Sequence, residues 1–424
     1  MRSVALLAAL VAAAFAQHWN IEQVDSASIG GFVAIDRTSD GTIWVAYVNA
    51  DSSIRLAHKD SVWVFEDLDT ALVRPMLVQH PSWAPFSFDI GPGDVIGVTG
   101  LSRLAEHRTS GWSSEELPAL MYPRALVYDA EGRPSLTFDD SLWRGCFGLR
   151  TDSGWDTSVV FWDSSGAQIW FSSTRPAWCR NGNCAFMSDY NWWEGGGAME
   201  GYDMFLFKRD SGTWTVSTMI EEYEGGSKSL ALLADSSDSL HTFWGASDNR
   251  GTNVLVCDQT ILDSFSNVGD ACLDTAGRMQ CAWIRGGFLK FAVPGRGTWA
   301  VPGVGNPVWC DITIDTMSQP VIAFCETDGS IWLAHGVDVV GQSEERGEPT
   351  AHSLQLTVSI IRNVLFLPEA SSHKPQGASW LLEASGRKVM ELRAGPNDVS
   401  RLPAGLYFIR ELTAGRTRKV IVTR

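Results

Sequence analysis

Asp274-Thr-Ala-Gly-Arg-Met-Gln-Cys-Ala-Trp283 is the stretch that decides the fold. It reads as an aspartate that opens a tight turn, followed by an apolar, alternating strand. The same phrase stands at Asp36, Asp129, Asp163, Asp235 and Asp315, with a degenerate copy at Asp89. Around each copy lie four short apolar runs. One ends at the Asp. A second follows the turn, as in Ile43–Tyr47 and Val321–Cys325, and a third follows that, as in Ile54–His58 and Ile331–His335. A Gly or Ser turn and a Trp then open the fourth, at Trp63, Trp112, Trp155, Trp214 and Trp299. Between residues 18 and 340 the spacing shows no helical period. Four strands in each of seven repeats predict an all-β fold, a seven-bladed β-propeller. The fifth repeat lacks the Trp and leaves its outer strand undefined.

The ends of the repeat array fit a closed ring. The seventh repeat stops after its third strand. His18-Trp-Asn-Ile-Glu-Gln-Val24 reads like Val62-Trp-Val-Phe-Glu-Asp-Leu68, a fourth strand. The N-terminal strand is therefore expected to complete the last blade, which removes an open seam. Residues 17–341 make the propeller, residues 342–353 read as a polar linker, and residues 354–424 as a small C-terminal β-sandwich of six further strands.

Residues 1–16 carry Arg2, a short apolar run and Ala14-Phe15-Ala16, the pattern of a cleaved secretory signal peptide. No later apolar run has the length of a membrane-spanning helix. The chain of 424 residues has a net charge of −16. The last 54 residues, from Ser371, hold ten Lys or Arg against four Asp or Glu, so the remainder carries −22. Such an acidic domain repels phosphate backbones, which argues against nucleic-acid binding. The expectation is an exported protein, secreted or held at the cell surface.

Eight cysteines in an exported chain point to disulfides. With turns at Thr275–Arg278 and Thr316–Gln319, Cys272 would lie opposite Cys281, and Cys310 opposite Cys325. Cys179 and Cys184 could close a short loop. Cys146 and Cys257 have no evident partner. The cysteines and histidines show no metal-ligand spacing, and no motif implies a cofactor.

The C-terminal segment resembles the sorting domain of the bacterial type IX secretion system. The likeness rests on Trp380-Leu-Leu-Glu-Ala-Ser-Gly-Arg-Lys-Val389, Leu402-Pro-Ala-Gly-Leu-Tyr407 and the basic end Arg418–Arg424, with Glu383 where Asp is commoner in that family. The resemblance covers residues 354–424 and implies the type IX machinery as a partner. The propeller resembles the sialidase-type superfamily through shortened Asp-box turns at Asp152-Ser-Gly-Trp155 and Asp210-Ser-Gly-Thr-Trp214. That resemblance implies an arginine cluster, a Tyr/Glu pair and an Asp acid. Arg74, Arg124, Arg144, Arg175 and Arg285, with Glu221-Glu-Tyr-Glu224, match it by residue type alone.

No G-x-S-x-G or H-E-x-x-H motif is present. Gly195–Gly201 is glycine-rich but opens no helix. The repeated Asp is expected to cap its own turn rather than bind an ion. The informative positions are those where the repeat is interrupted, at residues 71–86, with Trp83, and 174–203. The second holds Trp178, Tyr190, Trp192, Trp193, Glu194 and Tyr202. Read as a long loop between the second and third strands of the fourth blade, it emerges on the same face as the first. Aromatic planes beside carboxylates suit sugar faces or peptide side chains. The expected function is binding of a glycan or protein. The alternative is a glycoside hydrolase or lyase on the same face.

Overall fold

The computed structural model describes residues 18–68, 85–161, 170–337, 358–367 and 379–422, apart from short stretches within them. Every regular element in these residues is a β-strand. Seven antiparallel sheets of four strands, the fourth with an added two-residue strand, occupy residues 28–68, 87–116, 122–161, 170–223, 227–263, 269–300 and 307–337 in turn. The chain is a seven-bladed β-propeller. The outermost strand of the seventh blade is His18–Asp25, which pairs antiparallel with Ile331–Val337 from His18↔Val337 to Asp25↔Ile331. First and last segments thus share one sheet, and neither edge of the array is left open.

Blade 6 shows how the sequence makes the unit. Its strands are Gly269–Leu273, Met279–Arg285, Phe288–Val293 and Gly297–Ala300. Asp274 begins the first turn. Its Oδ1 accepts from the backbone N–H of Ala276 and of Arg278, each at 2.9 Å, and its Oδ2 from Arg278 Nε at 2.7 Å. Gly277 takes φ +74°, a left-handed turn position that glycine fills without strain. Asp129, Asp235 and Asp315 cap their turns in the same way through the N–H groups two and four residues on. Behind the turn, Cys281, Ala282, Trp283, Phe291 and Ala292 are buried between blades.

The outer-strand tryptophans of blades 2, 3 and 4 join each of these blades to the one before it. Trp112 Nε1 donates to Glu66 at 2.7 Å, Trp155 Nε1 to Glu115 at 3.2 Å, and Trp214 Nε1 to Ser158 at 3.0 Å. Each bond crosses from one fourth strand to the preceding one, with the indole as apolar filler and a polar tip satisfied. Blade 5 has a short fourth strand, Thr260–Asp263.

Several expectations need correction. Asp36 and Asp89 do not cap turns. The blade 1 turn runs from Thr38 to Thr42 and is held by Asp40, whose Oδ1 accepts from Thr38 Oγ1 and Thr42 N. Asp163 lies outside the described residues. The blade 4 turn is Cys179–Asn183, and Trp170–Ser173 is the innermost strand of that blade rather than its second. The disulfide pairings fail on register. The turn opens at Asp274, not Thr275, so Leu273 pairs with Met279, Cys272 with Gln280 and Ala271 with Cys281. One residue of slip puts Cys272 and Cys281 on opposite faces. Likewise Cys310 pairs with Phe324, and Cys325 with Trp309. Cys184 pairs with Trp178 rather than Cys179. No two of the eight cysteine sulfurs are within bonding distance in this structure.

A second compact unit spans Ser343–Arg424. It contains a five-stranded sheet and a two-stranded one, Val364–Leu367 with Gly395–Asp398. Leu381, Leu392, Val399, Tyr407 and Ile409 form its core. The 342–353 linker expectation falls outside the described residues.

Candidate functional site

The first strand of every blade is an edge strand. Half of its backbone N–H groups face the central channel without a ladder partner, and buried N–H groups need acceptors. Aspartates supply several. Asp311 on blade 7 accepts from Ile35 N of blade 1 at 2.9 Å. Asp36 on blade 1 accepts from Ile90 N of blade 2 at 3.0 Å. Asp89 on blade 2 accepts from Tyr128 N of blade 3 at 3.0 Å. These bonds run round the ring, each joining one inner strand to the next.

Into this group projects Arg175, from the bulged segment between Trp170–Ser173 and Ala177–Trp178 of blade 4. Counted from the turn, Arg175, Asp270 and Asp311 occupy the same inner-strand position of blades 4, 6 and 7. Arg175 Nη2 lies 2.7 Å from Asp270 and 3.5 Å from Asp311, and its Nη1 lies 4.0 Å from Asp89. The guanidinium therefore bridges across the channel. Burial works against its charge, but Asp270, Asp311, Asp89 and Asp36 outweigh that and raise its pKa.

One guanidinium cannot neutralise four carboxylates. Burial, with the Asp36 charge beside it, pushes Asp89 up to about 7. Burial raises Asp36, with Arg175 opposing. Burial and then Asp270, to which it hydrogen-bonds, raise Asp311 well above the carboxylate range. Burial thus drives these carboxyls toward their protonated forms while Arg175 favours the ionised ones. A cavity of about 330 Å³ adjoins it, lined by Asp36, Asp89, Tyr128, Arg175, Trp178 and Cys272 among others. Its lining residues all fall within a few positions of the first turns, so it occupies that half of the channel. Among the described residues no group of three His, Cys, Asp or Glu side chains is placed to hold a metal ion.

The expected aromatic site divides into parts. Trp178 lines the channel cavity, and its Nε1 donates to Ser135 of blade 3 at 3.0 Å. Tyr190, Trp192, Trp193 and Glu194 belong to the strand Cys184–Glu194, and Tyr202 to Ala198–Asp210. The 174–203 stretch is therefore not a loop. It comprises the end of the inner strand, the first turn, and an antiparallel ribbon in which Trp192 pairs with Gly201 and Asn191 with Tyr202. Extended β-formers simply prolong the blade. Trp178 pairs with Cys184, and Trp192 stands eight residues further along, roughly 26 Å at strand rise. The two cannot serve one small ligand. Trp83 lies outside the described residues.

Of the described arginines among those chosen by type, only Arg175 enters the channel cluster. Arg124 is held by Asp139 (Nε at 2.8 Å) and Arg144 by Asp140 (Nε at 2.6 Å). Arg74 lies outside the described residues. Of the aspartates of the cluster, Asp36 and Asp89 were visible only as repeat landmarks, and Asp270 and Asp311 were not singled out at all. Their common service to neighbouring blades depends on ring closure, which no local spacing encodes.

No protein-family model matches the chain, and no curated protein matches it. Solved structures do. An ulvan lyase of polysaccharide lyase family PL25, bound to -[GlcA(1-4)Rha3S]-, has a TM-score of 0.52 at 11% identity, covering 75% of this chain and 95% of that one. A catalytically inactive virginiamycin B lyase from Staphylococcus aureus, with quinupristin, has a TM-score of 0.50 at 12% identity, covering 76% of this chain and all of that one. At such identities the likeness is one of fold, and it places the 18–337 region among the β-propellers.

Proposed function

We propose that the protein is an exported or surface-displayed β-propeller that binds a glycan or protein ligand on the outgrowth of blade 4. The observation that carries this is the length of that blade. Its second, third and fourth strands have 11, 13 and 11 residues. The corresponding strands of blade 6 have 7, 6 and 4. A ribbon that outgrows its neighbours on a closed ring, and whose sequence holds Tyr190, Trp192, Trp193 and Tyr202, supplies the residue types that bind sugar faces or peptide side chains. The channel carboxylates favour binding over catalysis. Asp36, Asp89 and Asp311 already accept backbone N–H groups of neighbouring blades, and Asp270 is engaged by Arg175. The C-terminal unit would act in export through the type IX secretion machinery, after removal of residues 1–16.

One observation favours the second reading, a glycoside hydrolase or lyase. Asp89, held at about 7 beside Arg175, has the proton affinity of a general acid at neutral pH. A glycan array run beside a polysaccharide-degradation screen separates the readings. Binding lost in Trp192→Ala/Trp193→Ala, with no degradation by the parent protein, supports the first. Degradation abolished by Asp89→Asn supports the second and overturns the first.

A further inference from the structure

Two cysteines that no local spacing connects meet between blades 5 and 6. Cys257 ends the third strand of blade 5, Asn253–Cys257, and Cys281 sits in the second strand of blade 6, Met279–Arg285. Their Sγ atoms are 3.5 Å apart, and both side chains are fully buried. We propose that Cys257 and Cys281 form a disulfide that staples blade 5 to blade 6.

Three features of the place support it. Ala231, Ala271 and Ala292 are the small neighbours in the cluster, so backbones approach closely there. Blades 5 and 6 both end in a four-residue fourth strand, and blade 5 lacks the tryptophan of blades 2 to 4 that bonds to the preceding blade, so little outer sheet holds this pair together. The same interface carries a polar clasp at its rim, where Asp263 of blade 5 accepts from Trp283 Nε1 at 3.1 Å and Lys290 Nζ at 2.6 Å. A bond between the sulfurs needs them at about 2.05 Å, a closing movement of about 1.5 Å that side-chain rotation and a small shift of the blades supply.

The chemistry needs an oxidant, and the class that fits is a thiol–disulfide oxidoreductase carrying its own disulfide. One cysteine thiolate attacks a sulfur of that disulfide to give a mixed disulfide and releases the other oxidant sulfur as thiolate. The second cysteine, having lost its proton, displaces the remaining oxidant sulfur. Two protons and two electrons leave the chain, and the oxidant becomes a dithiol. The timing follows from the site. Burial, and then the hydrogen bond to Cys257, raise Cys281 well above the usual thiol range, so the packed protein offers little thiolate. The bond therefore forms before blades 5 and 6 close on each other.

The test uses the full chain refolded from denaturant with a glutathione redox buffer. Proteolysis without reductant, followed by mass mapping, is expected to find a Cys257–Cys281 linked peptide. Reduction should lower Tm by roughly 5 °C. Cys257→Ala/Cys281→Ala should show no Tm response to reductant. The reduced, already folded chain should resist the same buffer over the same time. Eight free thiols after oxidative refolding, or Cys257 or Cys281 linked to another cysteine, would overturn the proposal. The peptide map reads the wild-type chain, so the outcome stands even where the double variant fails to fold.

Discussion

Asp270 and Asp274 lie four residues apart on one stretch of chain, yet they belong to different kinds of structure. Asp274 is satisfied locally, by Ala276, Arg278 and the turn they make. Asp270 meets Arg175, 95 residues away on another blade, with Asp311 sharing its environment. The first aspartate makes a hairpin and would do so in any blade. The second is meaningful only when seven blades have closed. Local turn chemistry builds the repeat, and the charged channel registers the closure of the ring.

The largest effect is expected from removing Arg175, a cation that serves several blades. Arg175→Met leaves buried carboxylates without their counter-charge and should cost about 3–5 kcal/mol in urea unfolding. A loss under about 1 kcal/mol would mean that the guanidinium is a spectator. Asp274→Ala deprives two backbone N–H groups of their acceptor inside one turn, and a cost of about 1–2 kcal/mol is expected. Should it equal the Arg175 effect, the contrast between local and ring-wide roles fails.

The pH response sharpens the contrast further. Asp89 moves from its ordinary 3.8 to about 7 in the folded chain. A raised carboxyl favours folding in its protonated form. Its contribution is therefore complete below about pH 4 and is lost as pH rises through about 7. Thermal scans of the wild type at pH about 5 and about 8 should show the lower Tm at the higher pH. Asp89→Asn should flatten that difference, and an unchanged slope would remove Asp89 from the cluster's titration. The smallest effect is expected from Arg278→Ala. Its side chain is 42% exposed, so the ion pair with Asp274 is worth about 0.5 kcal/mol, readable as a small midpoint shift.

The same contrast explains what could be read from sequence. The seven-bladed ring is encoded in short, repeated turn and strand patterns, each satisfied within about 40 residues. The C-terminal strands Ser379–Glu383 and Lys388–Leu392 were legible for the same reason, since Glu383 and Arg387 close their turn as Asp274 and Arg278 do. The cysteine pairings failed because a hairpin that opens at Asp274 instead of Thr275 moves Cys272 and Cys281 apart by one position. Asp36 and Asp89 were misread as turn caps because an aspartate near a strand end looks alike in both roles. Arg175 could be picked only by type. Its partners come from four other blades, and the blade 4 repeat was misphased where strands, not a loop, extend the chain.

The central claim is a division of labour, with the channel cluster holding the ring and the blade 4 ribbon engaging the ligand. The most direct measurement is a glycan array probed in parallel with wild type, Trp192→Ala/Trp193→Ala and Asp89→Asn, each with its Tm recorded. The account predicts that the tryptophan variant loses binding at unchanged Tm, while Asp89→Asn keeps it. Binding retained without the two tryptophans and lost with Asp89→Asn at unchanged Tm would contradict it.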